Sequence, residues 1–381
     1  MKNNKKTALF LIESLDGGGA EGALENIIAN LDREKFDPYV VSETDQESRT
    51  ERIASMSHYH CFGHRNLNHS IPREIINRII YKFSWSAPPA LVRKTLVRGK
   101  YDIEVAGCEG YATKIIGSST DKNSKKIAWI HTDFVNNPWS KEMYESPEAE
   151  RACYEKFDAI VCVSETIKDS FLKTYPGLDD KVRLIHNIVD NHKIIEMGKE
   201  SLEYDGNRPL FVLAGSFLPV KGFERAVKIF GRLRDDGYKF SVIIMGIGYE
   251  RDKVQKIMDE QNLNDIITLM EYQSNPYKYM SHADAYVCSS YAEGYSTTVS
   301  EAVIVGTPII TTECSGMREI FGDKECGIIC ENSDEGLYQA IKKVLDNPEL
   351  LKKFKKEAEL RSSYFDKEKL VKEIEKLFET I

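Results

Sequence analysis

The sequence predicts an α/β protein of two domains, each built on a doubly wound parallel β-sheet. Short apolar segments alternate with amphipathic segments of helical period along the chain, which is the pattern of parallel α/β sheets. This alternation lapses into polar residues once, near the middle of the chain. A chain of 381 residues is also too long for one typical hydrophobic core, and its composition is that of a folded protein.

The first half of the chain carries enough apolar segments for one complete sheet. Strands are predicted near residues 7–12, 38–42, 102–106, 126–130, 158–163 and 182–185. Helices are predicted near residues 20–31, 72–82, 88–98, 148–156 and 165–174. Ser164 can cap the last helix, because its hydroxyl can accept from a free N–H group at the helix start. These elements predict an N-terminal domain over residues 1–187.

A second sheet is predicted after a polar linker at residues 188–207. Its strands are predicted near residues 209–214, 240–245, 266–270, 284–288, 308–312 and 327–330. Helices are predicted near residues 223–235, 249–261, 276–281, 297–305, 335–345 and 348–362. We assign residues 208–365 to a C-terminal domain and expect the helix of residues 366–381 to cross back to the N-terminal domain. Two such domains would face each other across a cleft at the carboxyl ends of their strands, where open α/β sheets bind ligands.

The first apolar run is predicted to be a strand rather than a secretory signal. It extends only from Ala8 to Ile12 before Glu13 interrupts it, and no small-residue cleavage site follows. No run approaches the roughly 18 apolar residues of a membrane span. The eight cysteines are scattered, which favours reduced thiols in a cytoplasmic protein, and none has zinc-like spacing, so that no metal or other cofactor is expected.

The charge distribution is uneven. A formal net charge of −8 argues against a general nucleic-acid binder. Residues 61–100 nevertheless carry eight cations and one carboxylate, interleaved with apolar residues that include Ile75, Ile76, Ile79 and Ile80 at helical spacing. This pattern is typical of a basic amphipathic helix on an anionic membrane surface. The alternative is that these isoleucines face the core of the N-terminal domain and leave a solvated basic rim.

A glycine-rich loop, Gly17-Gly18-Gly19, lies between the first strand and the first helix. With Gly22 it formally satisfies GxGxxG, and Glu43 lies about where a ribose-binding acid would fall in a dinucleotide site. Residues 13–16, however, separate the strand from the first glycine, whereas that fingerprint follows its strand almost at once. The favoured interpretation is a loop that lets a ligand approach the positive end of the helix, and a turn without a ligand is the alternative.

The segment after the predicted strand 284–288 is the strongest candidate site. Hydroxyl-bearing residues there open a helix after a glycine turn, and free N–H groups at a helix start suit a phosphate. Glu293 precedes this site and Glu301 lies more than a turn inside the helix. Because carboxylates repel phosphate, they are better suited to accept hydrogen bonds from sugar hydroxyls. A capped helix with a solvated Glu301 is the alternative.

Three further positions at predicted strand ends are candidates. Lys221 opens a helix after the strand of residues 209–214 and could neutralise a diphosphate leaving group. Gly246 lies in a glycine turn after the next strand, and His131 ends the strand of residues 126–130. A solvated loop lysine and a structural histidine are the alternatives.

Together these features resemble the retaining nucleotide-sugar glycosyltransferases of family 4, whose GT-B fold has two facing Rossmann-like domains. The resemblance covers nearly the whole chain. Its motifs occur in the family's order: the GGAE loop, Val163-Ser164-Glu165, Asn187, Lys221-Gly222-Phe223, and the E-x7-E pair Glu293 and Glu301. E-x7-E is the specific element, and the others corroborate it.

The resemblance implies a role for each matching residue. Lys221 would bind the donor diphosphate, Glu301 the ribose hydroxyls, and Glu293 the transferred sugar near the reacting centre. His131 would lie beside that sugar. The remaining donor contacts would come from Gly246, from the backbone at Tyr295, Ser296 and Thr297, and from the loop of Gly17, Gly18 and Gly19. The catalytic residues would thus be Glu293, His131 and Lys221.

The implied activity is transfer of a sugar from a nucleotide sugar, expected to be a UDP-sugar, to a glycan, lipid-linked or protein acceptor with retention of anomeric configuration. Such enzymes usually need no divalent metal. The family usually has an arginine where this sequence has Ser216, so the role of Ser216 as a donor ligand is open. Two alternatives remain: a catalytically idle partner subunit, which the serine at position 216 favours, and an NAD-dependent oxidoreductase, which rests on the GxGxxG match.

Overall fold

The structure is a computed structural model that describes residues 5–15, 18–45, 47–63, 71–206 and 208–381. The chain divides into two compact units. The first unit comprises Met1–Ile188 together with Glu368–Ile381, and the second comprises Val189–Lys367. Each unit is an α/β domain on its own parallel sheet.

The strands of the described residues form two sheets. They are β1 (Lys6–Ile12), β2 (Phe36–Ser42), β3 (His58–Cys61), β4 (Ile103–Ala106), β5 (Lys125–Ile130), β6 (Ala159–Cys162), β7 (Val182–Leu184), β8 (Leu210–Ala214), β9 (Ser241–Met245), β10 (Ile267–Met270), β11 (Ala285–Cys288), β12 (Ile309–Thr312) and β13 (Gly327–Cys330). The first sheet has the order β3-β2-β1-β4-β5-β6-β7, and the second has the order β10-β9-β8-β11-β12-β13. Both are parallel throughout.

The helices connect these strands. They are α1 (Gly19–Asn30), α2 (Glu47–Met56), α3 (Ile71–Ser86), α4 (Pro89–Thr95), α5 (Tyr111–Gly117), α6 (Pro147–Tyr154), α7 (Glu165–Thr174), α8 (Asn191–Gly198), α9 (Phe223–Asp235), α10 (Arg251–Glu260), α11 (Tyr277–His282), α12 (Thr297–Ile304), α13 (Met317–Phe321), α14 (Asp334–Asp346), α15 (Glu349–Ser362) and α16 (Lys367–Thr380). Ser164 caps α7 as predicted, accepting a hydrogen bond from the Ile167 amide at 3.2 Å. No helix in the part of the chain that the structure describes is long and apolar enough to cross a membrane.

The central strands follow the rule that parallel strands are buried on both faces. Residues Ala8 to Ile12 of β1 are at most 1% exposed. The edge strand β3 was not predicted, because His58, Tyr59 and His60 give it polar and aromatic side chains instead of an apolar run. Helices α2, α5 and α13 were also not predicted. The two last have seven and five residues, which is too short for a clear helical period.

The last helix belongs mainly to the first unit. Phe378 of α16 is buried and its ring packs on Phe10 and Phe36, with centroid distances of 6.1 and 5.7 Å. The carboxylate of Glu375 accepts a hydrogen bond from the Asp32 amide at 2.7 Å. Helix α16 therefore packs on β1 and β2 of the first unit.

The predicted linker at residues 188–207 is wrong for its first half, which contains α8 in the second unit. Asp190 caps this helix by accepting from the Lys193 amide at 3.1 Å, and Ile194 is 2% exposed. At the end of α8, the Ser281 hydroxyl donates to the Gly198 carbonyl at 2.6 Å. The helix depends on packing against α11 and α12, which a local pattern of mostly polar residues does not reveal.

Candidate functional site

In the second unit, the loops after β8 and β11 bring two of the predicted catalytic residues together. These strands are neighbours in a parallel sheet, so that their carboxyl ends lie at the same edge. Lys221 Nζ donates to Glu293 Oε1 at 2.7 Å. Burial by itself would lower the pKa of Lys221, but the charge and hydrogen bond of Glu293 more than offset it and raise that pKa. Lys221 is therefore a cation at neutral pH.

The approach of these two loops depends on Gly222. Its φ of 64° lies in the left-handed region, and a Cβ atom there would be 2.2 Å from the Ser289 carbonyl oxygen. Any other residue would therefore push the start of α9 away from the end of β11. The Ser289 hydroxyl also donates to the Lys221 carbonyl at 2.9 Å, and Ser290 donates to Glu293 Oε1 at 2.5 Å. Both members of the ion pair are thus fixed by hydroxyl groups.

Arg225 is a structural part of this site that sequence reasoning missed. It is 3% exposed, and its guanidinium donates to the carbonyl oxygens of Ser289 and Ser290, each at 2.7 Å. It donates as well to Asn332 Oδ1 at 2.9 Å, and it lies 3.9 Å from the ring centroid of Tyr291. The sequence feature that could have identified Arg225 is its position about one helical turn after Lys221. Because its donors are engaged by main-chain carbonyls, Arg225 shapes the loop that carries Glu293.

Glu301 is placed differently from Glu293. Its carboxylate accepts from the Tyr277 hydroxyl at 3.4 Å. Burial raises the pKa of Glu301 to about 7, and the Tyr277 hydrogen bond lowers it only in part. Glu301 is half-buried, and its contact with ribose hydroxyls stays a prediction. The group changes charge near neutral pH, and ligand hydroxyl groups that favour the carboxylate form would deprotonate it.

Residues 295–298, for which an anion site is predicted, form the start of α12. Ser296 caps the helix by accepting from the Val299 amide at 3.4 Å, while Tyr295 and Ser296 are buried. The first amides of any helix lack acceptors within the helix, so Thr297, which is half-buried, presents its amide at an end of positive electrostatic potential. This short segment therefore combines rigidity with main-chain donors.

Gly246 and Ser216 lie at the ends of neighbouring strands β9 and β8. A Cβ atom at Gly246 would be 1.8 Å from the Gly215 carbonyl oxygen, so glycine is required for the close approach of the two loops. Ser216 is half-buried in the loop before Lys221. These positions surround the same edge of the sheet as Lys221, and whether they contact a donor stays a prediction.

In the first unit, the loops after β4 and β5 bring His131 against Gly107 and Glu109. The His131 ring nitrogen Nε2 lies 3.2 Å from the Gly107 carbonyl oxygen, to which only an N–H group can bond. Burial lowers the pKa of His131, although the Glu109 charge and the Gly107 carbonyl oppose the change. The ring is thus neutral at pH 7, with Nδ1 as a hydrogen-bond acceptor.

The glycine-rich loop is only partly described. Gly17 lies outside the described residues, Gly18 precedes α1 and Gly19 is its first residue. A Cβ atom at Gly19 or Gly22 would meet no atom within 4 Å, so that packing does not require glycine there. Glu43, the ribose acid of the dinucleotide alternative, is 1% exposed and accepts from the Ser84 hydroxyl at 2.6 Å. This burial argues against a dinucleotide site.

Comparison with protein families agrees with this arrangement. The family described as "Glycosyltransferase Family 4" matches residues 17–193, and the family described as "Glycosyl transferases group 1" matches residues 195–361. Together the matches cover both units. The chain belongs to the group 1 glycosyltransferases of family 4.

Curated relatives in this family act in glycan assembly. An N-acetylgalactosamine-N,N'-diacetylbacillosaminyl-diphospho-undecaprenol 4-alpha-N-acetylgalactosaminyltransferase of Campylobacter jejuni is 27% identical over 223 residues, which are 58% of this chain and 60% of that protein. The O-antigen chain mannosyltransferase RfbU of Salmonella typhimurium is 26% identical over 198 residues, which are 51% of this chain and 53% of that protein. The chain thus spans between half and three fifths of the length of these relatives.

Solved structures show the same fold. The Anabaena protein HepE, in complex with UDP and glucose, superimposes with a TM-score of 0.75 over 99% of this chain and 100% of that chain, at 15% identity. Sucrose-phosphate synthase of Thermosynechococcus elongatus has a TM-score of 0.73 over 98% of both chains, at 17% identity. The predicted fold class of two Rossmann-like domains is therefore confirmed for this glycosyltransferase.

The raised pKa of Glu301 predicts a pH dependence of stability. The folded state binds this proton more tightly than the unfolded chain, so the stabilisation is complete at acid pH and is lost as the pH rises towards about 7. Glu301→Gln keeps an acceptor for Tyr277 and removes the titration. As the pH rises from 5 to 8, the free energy of unfolding of the variant should increase relative to that of wild type by on the order of 1–3 kcal/mol.

Thermal melts of wild type and Glu301→Gln at pH 5, 6, 7 and 8 measure this gain. Glu260→Gln, an exposed carboxylate at the end of α10, is the control. A melting-temperature difference for Glu301→Gln that stays constant with pH contradicts the assignment.

Proposed function

We propose that the protein transfers a sugar from a UDP-sugar to a glycan, lipid-linked or protein acceptor with retention of anomeric configuration. The observation that carries the proposal is the Lys221–Glu293 pair beside the start of α12, with Glu301 one turn further along that helix. The family assignment supports the reaction class, and it favours a nucleotide sugar over the dinucleotide of an oxidoreductase.

The ion pair suggests how the donor enters the site. A diphosphate competes with the Glu293 carboxylate for the Lys221 ammonium group, because both are anions within reach of one cation. When the diphosphate takes the lysine, Glu293 is released to accept hydrogen bonds from hydroxyl groups of the transferred sugar. Donor binding thus converts an internal ion pair into two ligand contacts.

The same residues account for the chemistry of transfer. The bond between the anomeric carbon and the diphosphate oxygen breaks, and its electron pair goes to the diphosphate. The acceptor oxygen forms the new bond, and its proton is lost to the departing diphosphate. Lys221 and the amides at the start of α12 stabilise the negative charge on the leaving group. The family resemblance implies that His131 contacts the transferred sugar, and Nδ1 is its available acceptor. No step of this scheme uses a metal ion.

The choice of donor rests on Glu301 and on similar proteins. A carboxylate that accepts from ribose hydroxyls binds the nucleoside part and does not distinguish uracil from other bases. UDP is present in the structures of HepE and of TarM from S. aureus, which have the same fold. A UDP-sugar is therefore the first donor to test.

A catalytically idle partner subunit is the second candidate, and Ser216 favours it. The family's usual arginine is missing there, and Arg225 does not replace it, since its guanidinium donates to Ser289, Ser290 and Asn332. Lys221 would then meet the diphosphate with less help from other cations. A transfer assay distinguishes an idle subunit from a slow enzyme.

Helix α3 supports an acceptor at a membrane surface. Ile75, Ile76 and Ile79 are 53%, 54% and 63% exposed, so the alternative that the isoleucines face the core is wrong for these three. Ile80 is half-buried. Tyr81 and Trp85 are also exposed, at 53% and 37%. Exposed isoleucine and aromatic side chains are common in helices that lie in a lipid interface.

Exposed cations accompany these apolar side chains. Arg78, Lys82 and Lys94 are exposed, whereas Arg93 is 6% exposed and pairs with Glu104 at 2.9 Å. Arg93 therefore does not belong to the basic surface inferred from the sequence. Arg65 and the side chain of Arg73 lie outside the described residues. We propose reversible attachment to the anionic, cytoplasmic leaflet, through which a lipid-linked acceptor would be reached.

Donor binding and product analysis test the proposed activity. A ligand that binds the folded state raises the melting temperature. The UDP-sugar, as the proposed donor, should therefore raise it more than the matching GDP- or ADP-sugar. Glu301→Ala should weaken that binding by roughly 1.5–3 kcal/mol, the value of a charged hydrogen bond. Glu260→Ala is the matched control. A folded protein that binds no nucleotide sugar contradicts the proposal.

Transfer assays in the presence of EDTA test whether the reaction is independent of metal ions. Anomeric NMR of the product tests retention of configuration.

Lys221→Ala should slow transfer far more than it weakens nucleoside binding. The lysine charge acts mainly on the leaving diphosphate, and loss of such an electrostatic group lowers kcat by roughly 10²–10³. The measurement compares kcat with the Kd for uridine. Lys228→Ala, at an exposed position of α9, the helix that follows Lys221, should change neither value. Near-normal turnover in Lys221→Ala would mean that another group meets the phosphate charge.

The membrane proposal predicts salt-reversible sedimentation with vesicles. Wild type should pellet with vesicles of anionic phospholipid at low salt and be released by 0.5 M salt, because exposed ionic attraction is screened. Replacing Arg78, Lys82 and Lys94 by Gln, or Ile75, Ile76 and Ile79 by Ser, should abolish pelleting.

The matched control for charge replaces Lys352, Lys355 and Lys356 of α15 by Gln, which removes the same three charges from an exposed face. Protein that remains in the supernatant at low salt contradicts the membrane proposal. It does not affect the assigned donor site.

A further inference from the structure

Glu109 is a buried carboxylate in the loop between β4 and α5. It is 1% exposed. Its oxygens accept from the His131 amide at 3.1 Å, from the Thr132 hydroxyl and from the Trp139 indole N–H at 3.3 Å. Among the described residues, these partners are all neutral donors, so the carboxylate is held by directed hydrogen bonds alone. Burial of such a charge is costly unless every hydrogen bond is well placed.

The same loop fixes both the main chain and the ring of His131. Glu109 holds the His131 amide, and Gly107, two residues earlier, accepts from the ring at Nε2. The adjoining residue Thr132 is tied to Glu109 as well. His131 is therefore held by one hydrogen bond from its amide and by another from ring nitrogen Nε2. This leaves Nδ1 as the hydrogen-bond acceptor of the ring.

The indole of Trp139 completes the arrangement. A Cβ atom at Gly110 would be 2.9 Å from Trp139 Cη2, so the ring packs closely on the residue after Glu109. Trp139 begins a short 3-10 helix, Trp139–Met143. The loop after β4, the loop after β5 and this turn thus meet at one carboxylate.

We propose that Glu109 is a positioning residue for sugar transfer, which fixes the main chain and ring orientation of His131 so that Nδ1 faces the transferred sugar. The assignment rests on the proposed function through the role of His131. Glu109 itself touches no reacting atom. The two oxygens of Glu109 accept from three donors. A glutamine has an NH2 group in place of one oxygen, so that at least one of these donors would face another donor.

A double-mutant cycle tests whether Glu109 acts through His131. Wild type, Glu109→Gln, His131→Ala and the double variant are compared for kcat, for the KM of the UDP-sugar and for melting temperature. Glu109→Gln should lower kcat roughly 10- to 100-fold, the effect of misplacing a group by about 1 Å, with little change in KM. In the His131→Ala background the same substitution should have almost no further effect on kcat.

Glu150→Gln is the matched control. Glu150 is also fully buried in the first unit and accepts from the Ser140 hydroxyl at 2.7 Å, but it does not contact His131. Its substitution should lower the melting temperature without the fall in kcat. A fall in kcat for Glu109→Gln that is equally large with and without His131 overturns the proposal.

The ring itself provides a readout that does not depend on activity. With histidine ¹⁵N-labelled and the His131 signals identified by their loss in His131→Ala, wild type should show the tautomer protonated at Nε2. Glu109→Gln should shift these signals towards a mixture of tautomers, and Glu150→Gln should not. Unchanged signals overturn the positioning role even if the protein is an active transferase. If the wild type transfers no sugar, the proposed function fails while the nitrogen spectra still decide whether Glu109 orients His131.

Discussion

The parallel direction of every strand pair is the constraint on which both units depend. A parallel pair cannot be closed by a tight hairpin, so each strand is followed by a crossover, usually helical, that returns the chain to the same end of the sheet. In each sheet, the loops that follow the strands therefore all lie at the carboxyl end of the sheet. Lys221 and Glu293 are 72 residues apart in sequence and yet 2.7 Å apart in space, because β8 and β11 are neighbours. Likewise, Glu109 and His131 meet because β4 and β5 are neighbours.

The two carboxylates of the E-x7-E motif show how surroundings separate similar groups. Glu293 meets the Lys221 ammonium group and the Ser290 hydroxyl. Glu301 accepts a hydrogen bond from the Tyr277 hydroxyl, and burial raises the pKa of Glu301 to about 7. One carboxylate is thus held as half of an ion pair, and the other is available to change charge when hydroxyl groups approach. This difference agrees with the proposed contacts of Glu293 with the transferred sugar and of Glu301 with a ribose.

Both sites rely on residues that are not themselves expected to touch a ligand. Arg225 uses its guanidinium on the carbonyl oxygens that shape the Glu293 loop, and Glu109 uses its carboxylate on donors around His131. In each case a buried charge organises main-chain groups of a neighbouring loop. Hydrogen bonds to charged groups are stronger than neutral ones, and leaving such a charge unsatisfied is costly, so the loops have few other arrangements.

The sequence by itself determined the fold class, most of the strands and helices, and the family motifs, because these depend on local apolar periodicity and on residues close together in the chain. It could not determine helix α8, the edge strand β3 or the burial of Arg93, since each depends on partners far away in sequence. Nor could it identify Glu109 or the raised pKa of Glu301. A hydrogen-bond partner and a desolvated environment arise only when distant segments pack together, so only the tertiary structure decided them.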